Sequence, residues 1–366
     1  MGVPLIQRYR LARYVIYQKL KGNPRYPLVL MLEPLFRCNL SCAGCGKIDY
    51  PDDILNRRLS LNECLAASDE CGAPIVAISG GEPLIHEEMP RIVTGLIQRK
   101  RFVYLCTNGL LLRTRIHDYT PSPYLTLSVH LDGDRERHDA LACRQGVYDS
   151  AVEAVRLAAS KGFRITINCT LYDGVSAPQV SDFFDFLMSL GIEGIMVSPA
   201  YQYSEAPKKE IFLKRTRSIN LFREILKLGR GKHWNFNHST LFLDFLAGNR
   251  PYACTPWGNP TRNIFGWQKP CYLLTKEGYA QTFKSLLGET DWARYGNGRN
   301  PKCANCMLHS GFEPTAVNDT LAHPLKALSV YLRGPRTDGP MAEETKEQGS
   351  NQKSTKRNPF GILRQG

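Results

Sequence analysis

The chain has 366 residues, of which 43% are hydrophobic and 22% charged, a balance typical of a globular protein with a large buried core. No apolar run approaches the roughly 20 residues that a membrane-spanning helix needs, and Arg8, Arg10 and Arg13 interrupt the N-terminus where a secretory signal would be apolar, so we expect a cytoplasmic protein. The net charge of +13 predicts an anionic partner (nucleic acid, an acidic membrane surface or phosphate groups), and the 12 cysteines are expected to serve metal binding or catalysis instead of disulfides.

Residues 1–27 are predicted to form a basic amphipathic helix followed by a short link. Apolar and aromatic residues such as Leu5, Tyr9 and Leu20 mix with arginines and lysines at helical spacing. This pattern suits a helix lying on an anionic bilayer, which would place the protein peripherally on the inner face of the cytoplasmic membrane. The alternative is a helix packed beneath a barrel with its charges solvated.

The stretch 37–46 carries Cys38, Cys42 and Cys45 with the spacing Cys-x3-Cys-x2-Cys, just after the apolar run 28–32. Thiolates are the soft ligands that iron–sulfur clusters take. Three ligands, where a closed structural site has four, leave one iron of a [4Fe–4S] cluster open to another ligand, as in catalytic zinc sites. A zinc site with a distant fourth ligand is the alternative.

Residues 28–200 alternate short apolar runs with helical stretches. The strand candidates are 28–32, 75–79, 102–106, 124–130, 164–170 and 194–198, and the helical segments between them include 62–71, 87–99, 150–161 and 180–190. Helices that follow strands in this way imply a parallel sheet with right-handed crossovers. An open sheet and a (βα) barrel both fit, and motifs at the C-terminal ends of most strands favour a full or partial barrel.

Glycine-rich and polar motifs follow the second, third and fourth predicted strands. They read SGGEP at 79–83, TNG at 107–109 and HLDG at 130–133. The paired glycines Gly80 and Gly81 let the backbone approach a ligand, and Glu82 can accept a hydrogen bond from a cationic amine. GGEP alone is a plausible tight turn, but its place after a strand and downstream of the cysteine loop makes the combination specific.

Together, the cysteine loop and these motifs resemble the radical S-adenosylmethionine (radical SAM) superfamily. The resemblance implies that Cys38, Cys42 and Cys45 hold a [4Fe–4S] cluster, whose open iron binds SAM. One electron then cleaves SAM to methionine and a 5′-deoxyadenosyl radical. It also implies an α/β fold with a partial (βα)6 TIM-like barrel over 28–200. One departure is Gly44, where the family often has an aromatic residue that packs near the adenine.

The resemblance also assigns SAM-binding residues. Gly80, Gly81 and Glu82 would bind the methionyl ammonium, and Asn108 would line the SAM pocket. His130 stands where many relatives have a serine, within reach of the ribose, although a core-edge histidine satisfied by a neighbour is an equal alternative. Asn168 on the fifth strand is a further polar contact to SAM.

Cys106 is the candidate catalytic residue. Strand alternation places Leu105 and Thr107 on the opposite face, and the end of the third strand can direct the Cys106 thiol into the active-site mouth. An enzyme that adds an adenosyl radical to its substrate must quench the product radical, and a thiol is a good hydrogen-atom donor. The alternative is a small buried hydrophobic residue.

Residues 201–332 are predicted to form a small cysteine-containing C-terminal extension. Cys254, Cys271, Cys303 and Cys306 resemble the start of the auxiliary-cluster extensions of radical SAM enzymes, and they can hold a second iron–sulfur cluster or a zinc ion. Fuller extensions have further cysteines where residues 307–311 have none, so a second cluster stays an open alternative. The polar tail 333–366 is predicted to be disordered.

Within the superfamily, several segments resemble the enzymes of bacterial hopanoid biosynthesis that act on hopene, a membrane triterpene. They include YPLVLMLEPLFRCNLSCAGCGKIDYP, YLCTNGLLL, SVHLDGDRERHD and CTPWGNPTRNIFGWQ. This resemblance implies that the radical adds to the alkene of hopene (diploptene), that SAM is consumed as a co-substrate, and that a flavodoxin or ferredoxin donates electrons. Tyr201, Tyr203, Phe242, Phe245 and Trp257 are aromatic residues that can provide an apolar passage.

Two other classes of function stay open. The chain can be a radical SAM enzyme that modifies a peptide or a tRNA, although it shows no RNA-binding module, so we expect no nucleic-acid partner. It can also be a non-enzymatic metal-binding protein, but that hypothesis leaves GGEP, TNG and HLDG unexplained.

Overall fold

The computed structural model describes residues 2–201 and 205–342. Its strands are β1 (Val29–Glu33), β2 (Ile75–Ile78), β3 (Phe102–Thr107), β4 (Leu125–His130), β5 (Arg164–Leu171), β6 (Gly194–Pro199), β7 (Thr261–Asn263), β8 (Gly266–Gln268) and β9 (Tyr279–Ala280). Its helices are α1 (Leu5–Leu20), α2 (Asp52–Leu55), α3 (Leu61–Cys71), α4 (Met89–Gln98), α5 (Leu112–Arg115), α6 (Arg135–Ala142), α7 (Val147–Ser160), α8 (Ala177–Ser189), α9 (Arg215–Leu228), α10 (Thr240–Leu246), α11 (Phe283–Glu289), α12 (His309–Ala322) and α13 (Pro324–Arg333). In these ranges no helix is both long enough and apolar enough to cross a bilayer.

The strands form one nine-stranded sheet in the order β6-β5-β4-β3-β2-β1-β7-β8-β9. Neighbours from β1 to β6 pair in parallel, which confirms the predicted α/β fold with a partial barrel of six βα units. The extension continues the same sheet, because β7 pairs in parallel with β1 and β8 and β9 follow antiparallel. Residue 200 therefore ends the parallel βα series without ending the sheet.

Residues alternate along the parallel strands between an apolar face and a polar face. In β4, Leu125, Leu127 and Val129 are fully buried in the main hydrophobic core, together with residues of the surrounding helices. The intervening Thr126 and Ser128 are also buried, and by strand alternation they face the inside of the barrel. The polar residues at the strand ends therefore meet inside one concave surface, where barrels of this kind build their sites.

Helix α1 packs across the end of the sheet at which the strands begin. The Gln7 amide Nε2 donates to the Tyr104 hydroxyl over 2.9 Å, and Leu11 packs against a cluster that contains Ile75 and Phe102, the first residues of β2 and β3. One face of α1 therefore packs beneath the barrel, as the second alternative predicted, and this end lies opposite to the strand ends that carry the motifs.

The first part of the predicted disordered tail is ordered, so the prediction was wrong for residues 333–342. Arg333 ends α13, the Ala342 amide donates to the Gly248 carbonyl over 2.9 Å, and the Gly339 carbonyl accepts from Arg223 over 2.8 Å. The local composition gave no sign of these bonds, because their partners lie on α9 and in the segment after α10. Residues 343–366 lie outside the described residues.

Candidate active site

The three cysteines of the 37–46 loop line one cavity at the C-terminal ends of the strands. Cys38, Cys42 and Cys45 share this cavity, of about 340 Å³, with residues of β3 to β6. The loop has no regular secondary structure, and its backbone is held in part by the Ala43 amide, which donates to the Leu141 carbonyl over 2.9 Å.

Neighbouring cysteines of the loop contribute to the raised pKa values of Cys38 and Cys42, which fits three thiolates that share a cationic group. Burial raises the pKa of Cys38 to about 11, with smaller contributions from Glu82 and Cys45. Burial also raises the pKa of Cys42, and the other two thiols raise it further. Within the described ranges, no group of three or more His, Cys, Asp or Glu side chains is arranged to hold a single metal ion. An iron–sulfur cluster instead offers several iron atoms to cysteine thiolates, so the donor set fits a cluster.

The SGGEP turn after β2 lies directly against the start of the cysteine loop. A Cβ on Gly81 would lie 2.1 Å from the Arg37 carbonyl oxygen, and one on Gly80, which has φ +112°, would lie 2.3 Å from that of Leu35. Only glycine permits this approach. The turn is fixed by the Gly81 and Glu82 amides, which donate to the same two carbonyls over 2.9 and 3.0 Å.

Glu82 lines the cavity and is almost wholly buried. Its carboxylate accepts from the Thr107 hydroxyl at 2.8 Å, the Asn108 amide at 2.9 Å and the Leu84 amide at 3.0 Å. Burial raises the pKa of Glu82 to about 7, against the opposing effect of these three hydrogen bonds. Glu82 thus ties the end of β2 to the end of β3 and still presents an acidic group to the cavity.

Asn108 lines the cavity but directs its side chain toward the cysteine loop. Its Nδ2 donates to the Asn39 Oδ1 over 2.7 Å and lies 3.9 Å from the Cys38 Sγ, while its Oδ1 accepts from the Leu110 amide. In this structure, the side chain predicted to line the SAM pocket also positions the first cysteine of the loop.

His130 and Asn168 face each other across neighbouring strands and both line the cavity. The His130 Nε2 lies 2.7 Å from an Asp132 oxygen, and its Nδ1 lies 3.4 Å from the Asn168 Nδ2. Burial lowers the pKa of His130, but the Asp132 carboxylate raises it more, so the net pKa is raised. The histidine is therefore satisfied by a neighbour, as the second alternative predicted, and it also lines the cavity, while its contact with the SAM ribose stays a prediction.

Cys106 lies on the cavity side of β3 and Leu105 is fully buried in the core, as strand alternation predicted, but Thr107 at the end of the strand also lines the cavity, so the prediction was wrong for Thr107. It pairs in register with Ser128 of β4. Burial raises the pKa of the Cys106 thiol to about 12. The group is therefore a neutral thiol at ordinary pH, a form that can donate a hydrogen atom and is a poor nucleophile.

Tyr172 is a cavity residue that the sequence prediction missed. A Cβ on Gly44 would lie 2.5 Å from the Tyr172 hydroxyl oxygen and 2.6 Å from a ring carbon, so the ring occupies the space that a side chain at 44 would need. Tyr172 lines the cavity next to Cys42 and Cys45, which both raise its pKa after the larger effect of burial. Its spacing of two residues from Thr170 and four from Asn168, just past the end of β5, was the available signal.

His309 reaches the same cavity from the extension. It begins α12, and its Nδ1 lies 2.7 Å from the Ser198 Oγ at the end of β6. Burial lowers the pKa of His309 to about 3, and His238 lowers it further. The imidazole is thus neutral, and no local pattern in the sequence marked it.

A buried ion pair lies beside the third cysteine. The Lys47 Nζ is 2.7 Å from a Glu33 oxygen at the end of β1 and 5.3 Å from the centre of the Tyr272 ring. Lys47 and Tyr272 line the cavity, and Glu33 is 2% exposed. The sequence did not predict the partners of Lys47, because Glu33 lies on β1 and Tyr272 lies in the extension.

The outer wall of the cavity is apolar. It is formed by residues of the extension and the segment after β6, namely Tyr201, Phe212, Tyr272, Leu273 and Leu308. Leu273 and Leu308 also form a small hydrophobic cluster with Ala206. Of the other aromatic residues predicted for a passage, Phe242 and Phe245 are buried in the main core and Trp257 packs on Trp292, whereas Tyr203 lies outside the described residues.

The four cysteines of the extension come together in a second, smaller cavity. Cys254, Cys271, Cys303 and Cys306 line it, although up to 52 residues separate them along the chain. Burial raises the pKa of Cys254, and each of the other three thiols raises it further. A Cβ on Gly311 would lie 2.5 Å from the Cys254 Sγ, so a glycine leaves the room that this thiol occupies.

Comparison with known proteins agrees with this site. Residues 32–187 match the family described as the radical SAM superfamily, and residues 195–330 match a domain of unknown function (DUF3463). A GTP 3',8-cyclase of Clostridium perfringens is 26% identical over 152 residues, which cover 40% of this chain and 47% of the cyclase. The chain thus spans about half the length of this cyclase.

Two further similarities cover more of the chain. A PqqA peptide cyclase of Streptomyces rochei is 24% identical over 282 residues, which cover 73% of this chain and 76% of that enzyme. The crystal structure of Streptococcus suis SuiB bound to the precursor peptide SuiA has a TM-score of 0.62 at 17% identity, and it covers 82% of this chain and 74% of SuiB, so it supports the fold. Members of the superfamily use a [4Fe–4S] cluster and SAM. Residues 32–187 therefore match the radical SAM superfamily, and both the cysteine loop and the SGGEP turn of the site lie within the matched range.

Proposed function

We propose that this radical SAM enzyme adds the 5′-deoxyadenosyl radical to the alkene of hopene and so performs the adenosylhopane synthase reaction. The observation that carries the proposal is one cavity in which the three-cysteine loop, a neutral thiol and an apolar wall face one another. The sequence segments that resemble hopanoid enzymes support the same substrate. The 26% identity to the C. perfringens cyclase over 152 residues leaves the substrate open.

The distribution of polarity in the cavity supports a hydrocarbon acceptor. Glu82, His130 and Asn168 form a polar floor at the strand ends, suited to SAM, whereas Tyr201, Tyr272 and Leu308 form part of an apolar outer wall. A buried apolar wall binds a triterpene by removing its surface from water, at about 25 cal/mol per Å². A hydrophilic substrate would gain little from that wall.

Cys38, Cys42 and Cys45 would hold the [4Fe–4S] cluster, which supplies the electron that cleaves SAM when it is bound. Glu82 would accept a hydrogen bond from the SAM ammonium while Thr107 and Asn108 fix its carboxylate. The Gly80 and Gly81 backbone, packed on residues 35–37, would keep that carboxylate beside the cysteine loop. His130, whose Nε2 is held by Asp132, offers its Nδ1 to the same pocket as a hydrogen-bond donor when the ring is cationic and as an acceptor when it is neutral.

Cys106 would quench the product. Addition to the terminal alkene carbon forms one C–C bond and leaves a tertiary carbon radical on the triterpene. Transfer of hydrogen breaks the Cys106 S–H bond, forms a C–H bond and leaves a thiyl radical. One electron and one proton from a donor of the flavodoxin or ferredoxin class restore the thiol. One electron cleaves SAM and a second restores the thiol, so each molecule of product consumes two electrons and one proton.

The test is an anaerobic assay of the reconstituted enzyme with SAM, a strong reductant and hopene. We expect adenosylhopane by mass spectrometry, together with methionine. Formation of 5′-deoxyadenosine without any adenosylhopane, over a range of hopene dispersions, would contradict the proposed substrate and keep the radical chemistry. Failure to cleave SAM at all would contradict both.

Peptide modification is the second candidate function. It is supported by the coverage of the PqqA peptide cyclase and SuiB, which extend over more of the chain than the GTP 3',8-cyclase of C. perfringens does. A peptide acceptor would need hydrogen-bond partners for its backbone, which the apolar outer wall does not provide.

The cavity lined by Cys254, Cys271, Cys303 and Cys306 would hold a second metal centre. Four cysteines that line one cavity supply the number of thiolates that an iron–sulfur cluster takes, and the enclosure of the cavity by Pro256, Leu274 and Phe312 would exclude solvent. We favour an iron–sulfur cluster, and iron analysis tests it as described below.

A further inference from the structure

Two helices carry nearly all the large apolar side chains that the described part of the chain leaves exposed. Six lie on α1 (Leu5, Ile6, Tyr9, Ile16, Tyr17 and Leu20) and four on α13 (Leu325, Leu328, Tyr331 and Leu332), against a single one elsewhere, Leu228 at the end of α9. Leu20 is 83% exposed and Leu325 is 81% exposed. Exposed apolar surface of this concentration marks an interaction site.

The exposed residues of α1 form one stripe. Leu5, Tyr9, Ile16 and Leu20 recur at the spacing of a single helical face, and the opposite face buries Gln7 and Val15 against the barrel. The barrel therefore fixes which face of α1 points outward. This outward face is apolar even though nothing in the described chain covers it.

Helix α13 repeats this arrangement on a shorter scale. Leu325, Leu328 and Leu332 follow the spacing i, i+3, i+7 and are exposed, whereas Ala327 is buried and Val330 packs against the main core. Leu332 is 73% exposed. The helix is thus anchored on one side and apolar on its free side.

The two helices lie at the same end of the molecule. The Tyr14 ring of α1 packs edge-on against the Tyr26 ring at 6.2 Å, and the Tyr26 hydroxyl donates to the Asn318 Oδ1 over 2.5 Å. Asn318 is near the end of α12, immediately before α13. Asn318 lies nine residues along α12 from His309 at the cavity, about 14 Å at 1.5 Å per residue, and α1 packs at the end of the sheet opposite to the cavity.

The charge around both stripes is positive. The first acidic residue of the chain is Glu33, so the charged residues of α1 are all basic, and Arg8, Arg13 and Lys19 among them are exposed. Around α13, Arg333 is exposed and no acidic residue occurs between Asp319 and Asp338, while Lys326 pairs with Asp319 at 2.6 Å. Basic residues that flank an exposed apolar stripe complement a surface that is anionic outside and apolar beneath.

We propose that α1 and α13 together form a docking surface for an anionic phospholipid bilayer. A second copy of this chain fits the surface less well, because a symmetric dimer would bring the same positive charges face to face. The proposal goes beyond the reaction proposed above and does not depend on it, since the surface lies at the other end of the molecule from the cavity. Docked in this way, the enzyme would hold its cavity away from the bilayer plane.

Vesicle flotation of the anaerobically reconstituted full chain tests the surface without SAM or hopene. We expect binding to phosphatidylcholine vesicles that contain phosphatidylglycerol, weak binding to phosphatidylcholine alone, and a loss of binding at high salt. The variants Ile16→Glu/Leu20→Glu in α1 and Leu328→Glu/Leu332→Glu in α13 should each lower the partition coefficient by about tenfold or more, because each replaces buried apolar contact with charge. Leu332→Trp should keep binding and shift its fluorescence to the blue on vesicles.

Matched controls separate docking from general charge effects. The variant Arg144→Glu/Lys209→Glu also makes the surface more negative, but at two exposed residues outside the docking surface. We expect its vesicle binding to stay within about twofold of wild type. Iron content and thermal melts would show that every variant is folded. The proposal is wrong if wild type does not float with anionic vesicles, or if the helix variants bind as wild type does. It is also wrong if wild type is a dimer that the helix variants convert to monomers.

Discussion

Burial and hydrogen bonding shift the ionisation of Glu82 in opposite directions. Its burial between the ends of β2 and β3 raises the pKa to about 7, while hydrogen bonds from Thr107, Asn108 and Leu84 favour the ionised form. A carboxyl group poised in this way changes its charge in the physiological range. The proposed contact with the SAM ammonium requires the ionised form.

SAM binding should therefore depend on pH through Glu82. Below about pH 7 the group is protonated and above it is ionised, so the affinity for the SAM cation should rise about tenfold per unit of pH below 7 and level off above it. Equilibrium binding to the reconstituted protein measures this dependence. In Glu82→Gln the affinity should be low and nearly independent of pH, and a wild-type dependence that persists in this variant would assign the titration to another group.

Replacement of Cys106 should separate SAM cleavage from product formation. In Cys106→Ala we expect 5′-deoxyadenosine to form while the yield of adenosylhopane falls by about tenfold or more, because the carbon radical loses its hydrogen donor. The two products are quantified by mass spectrometry. Cys169→Ala is the matched control, since Cys169 is a fully buried core thiol on β5. An unchanged product yield in Cys106→Ala would remove the quenching role.

Tyr172 should supply the aromatic surface that Gly44 does not. Loss of the ring in Tyr172→Ala should weaken SAM binding by about tenfold, whereas Tyr172→Phe should bind nearly as wild type does, because it keeps the aromatic surface. A swap tests the position directly. Gly44→Phe combined with Tyr172→Gly should restore much of the affinity, and failure of the swap together with normal binding by Tyr172→Ala would exclude this role.

At the scale of elements, the turn after β2 and the start of the cysteine loop form one packed unit. The Ser79, Gly81 and Glu82 amides donate in turn to the carbonyls of Leu32, Leu35 and Arg37. The pairing between β1 and β2 is thus prolonged beyond the strands, and it carries the first cysteine to the cavity. The position of Cys38 therefore depends on backbone contacts of two glycines.

Gly81→Ala should destabilise this unit. Its Cβ would lie 2.1 Å from the Arg37 carbonyl oxygen, and forcing these segments apart should cost about 2 kcal/mol or more. Denaturant titration measures the free energy of unfolding and metal analysis measures the iron content, and we expect both quantities to fall. Gly288→Ala is the control, because its Cβ meets nothing within 4 Å in α11, and helix propensity should stabilise it by up to about 1 kcal/mol. If Gly81→Ala and Gly288→Ala had the same stability and iron content, the close contact at Gly81 would not be a determinant of stability.

At the scale of the whole molecule, the extension completes the site instead of forming a separate unit. It adds β7 to the edge of the barrel sheet, contributes Tyr272, Leu273, Leu308 and His309 to the cavity wall, and holds a second group of cysteines. Tyr272 follows Cys271 directly, so the wall of the active-site cavity and the second cysteine cavity are adjacent.

Iron analysis should show two independent centres. We expect about eight iron atoms per chain in wild type and about four in the variant that lacks Cys38, Cys42 and Cys45, because each [4Fe–4S] cluster binds through its own thiolates. Replacement of Cys303 and Cys306 should also leave about four, with SAM cleavage as the check on the first cluster. If the variant that lacks Cys38, Cys42 and Cys45 folds but contains no iron, the extension binds zinc or no metal.

The sequence by itself determined the parallel strands and most of the residues at their ends. Each of the six predicted strands lies within one residue of its predicted bounds, because an apolar run and its polar or glycine boundary are local properties. The grouping of Cys38, Gly81, Glu82, Cys106 and His130 followed as well, since parallel strands bring their C-terminal ends to one edge.

The tertiary structure alone decided what lies close in space but far along the chain. Tyr172 fills the place beside Gly44, His309 reaches Ser198 across 111 residues, and the four extension cysteines gather around one small cavity. It also placed α1 beneath the barrel and linked it through Tyr26 to α12. Such contacts depend on loop paths and on the packing of whole elements, and neither leaves a periodic signal in the residues that make the contact.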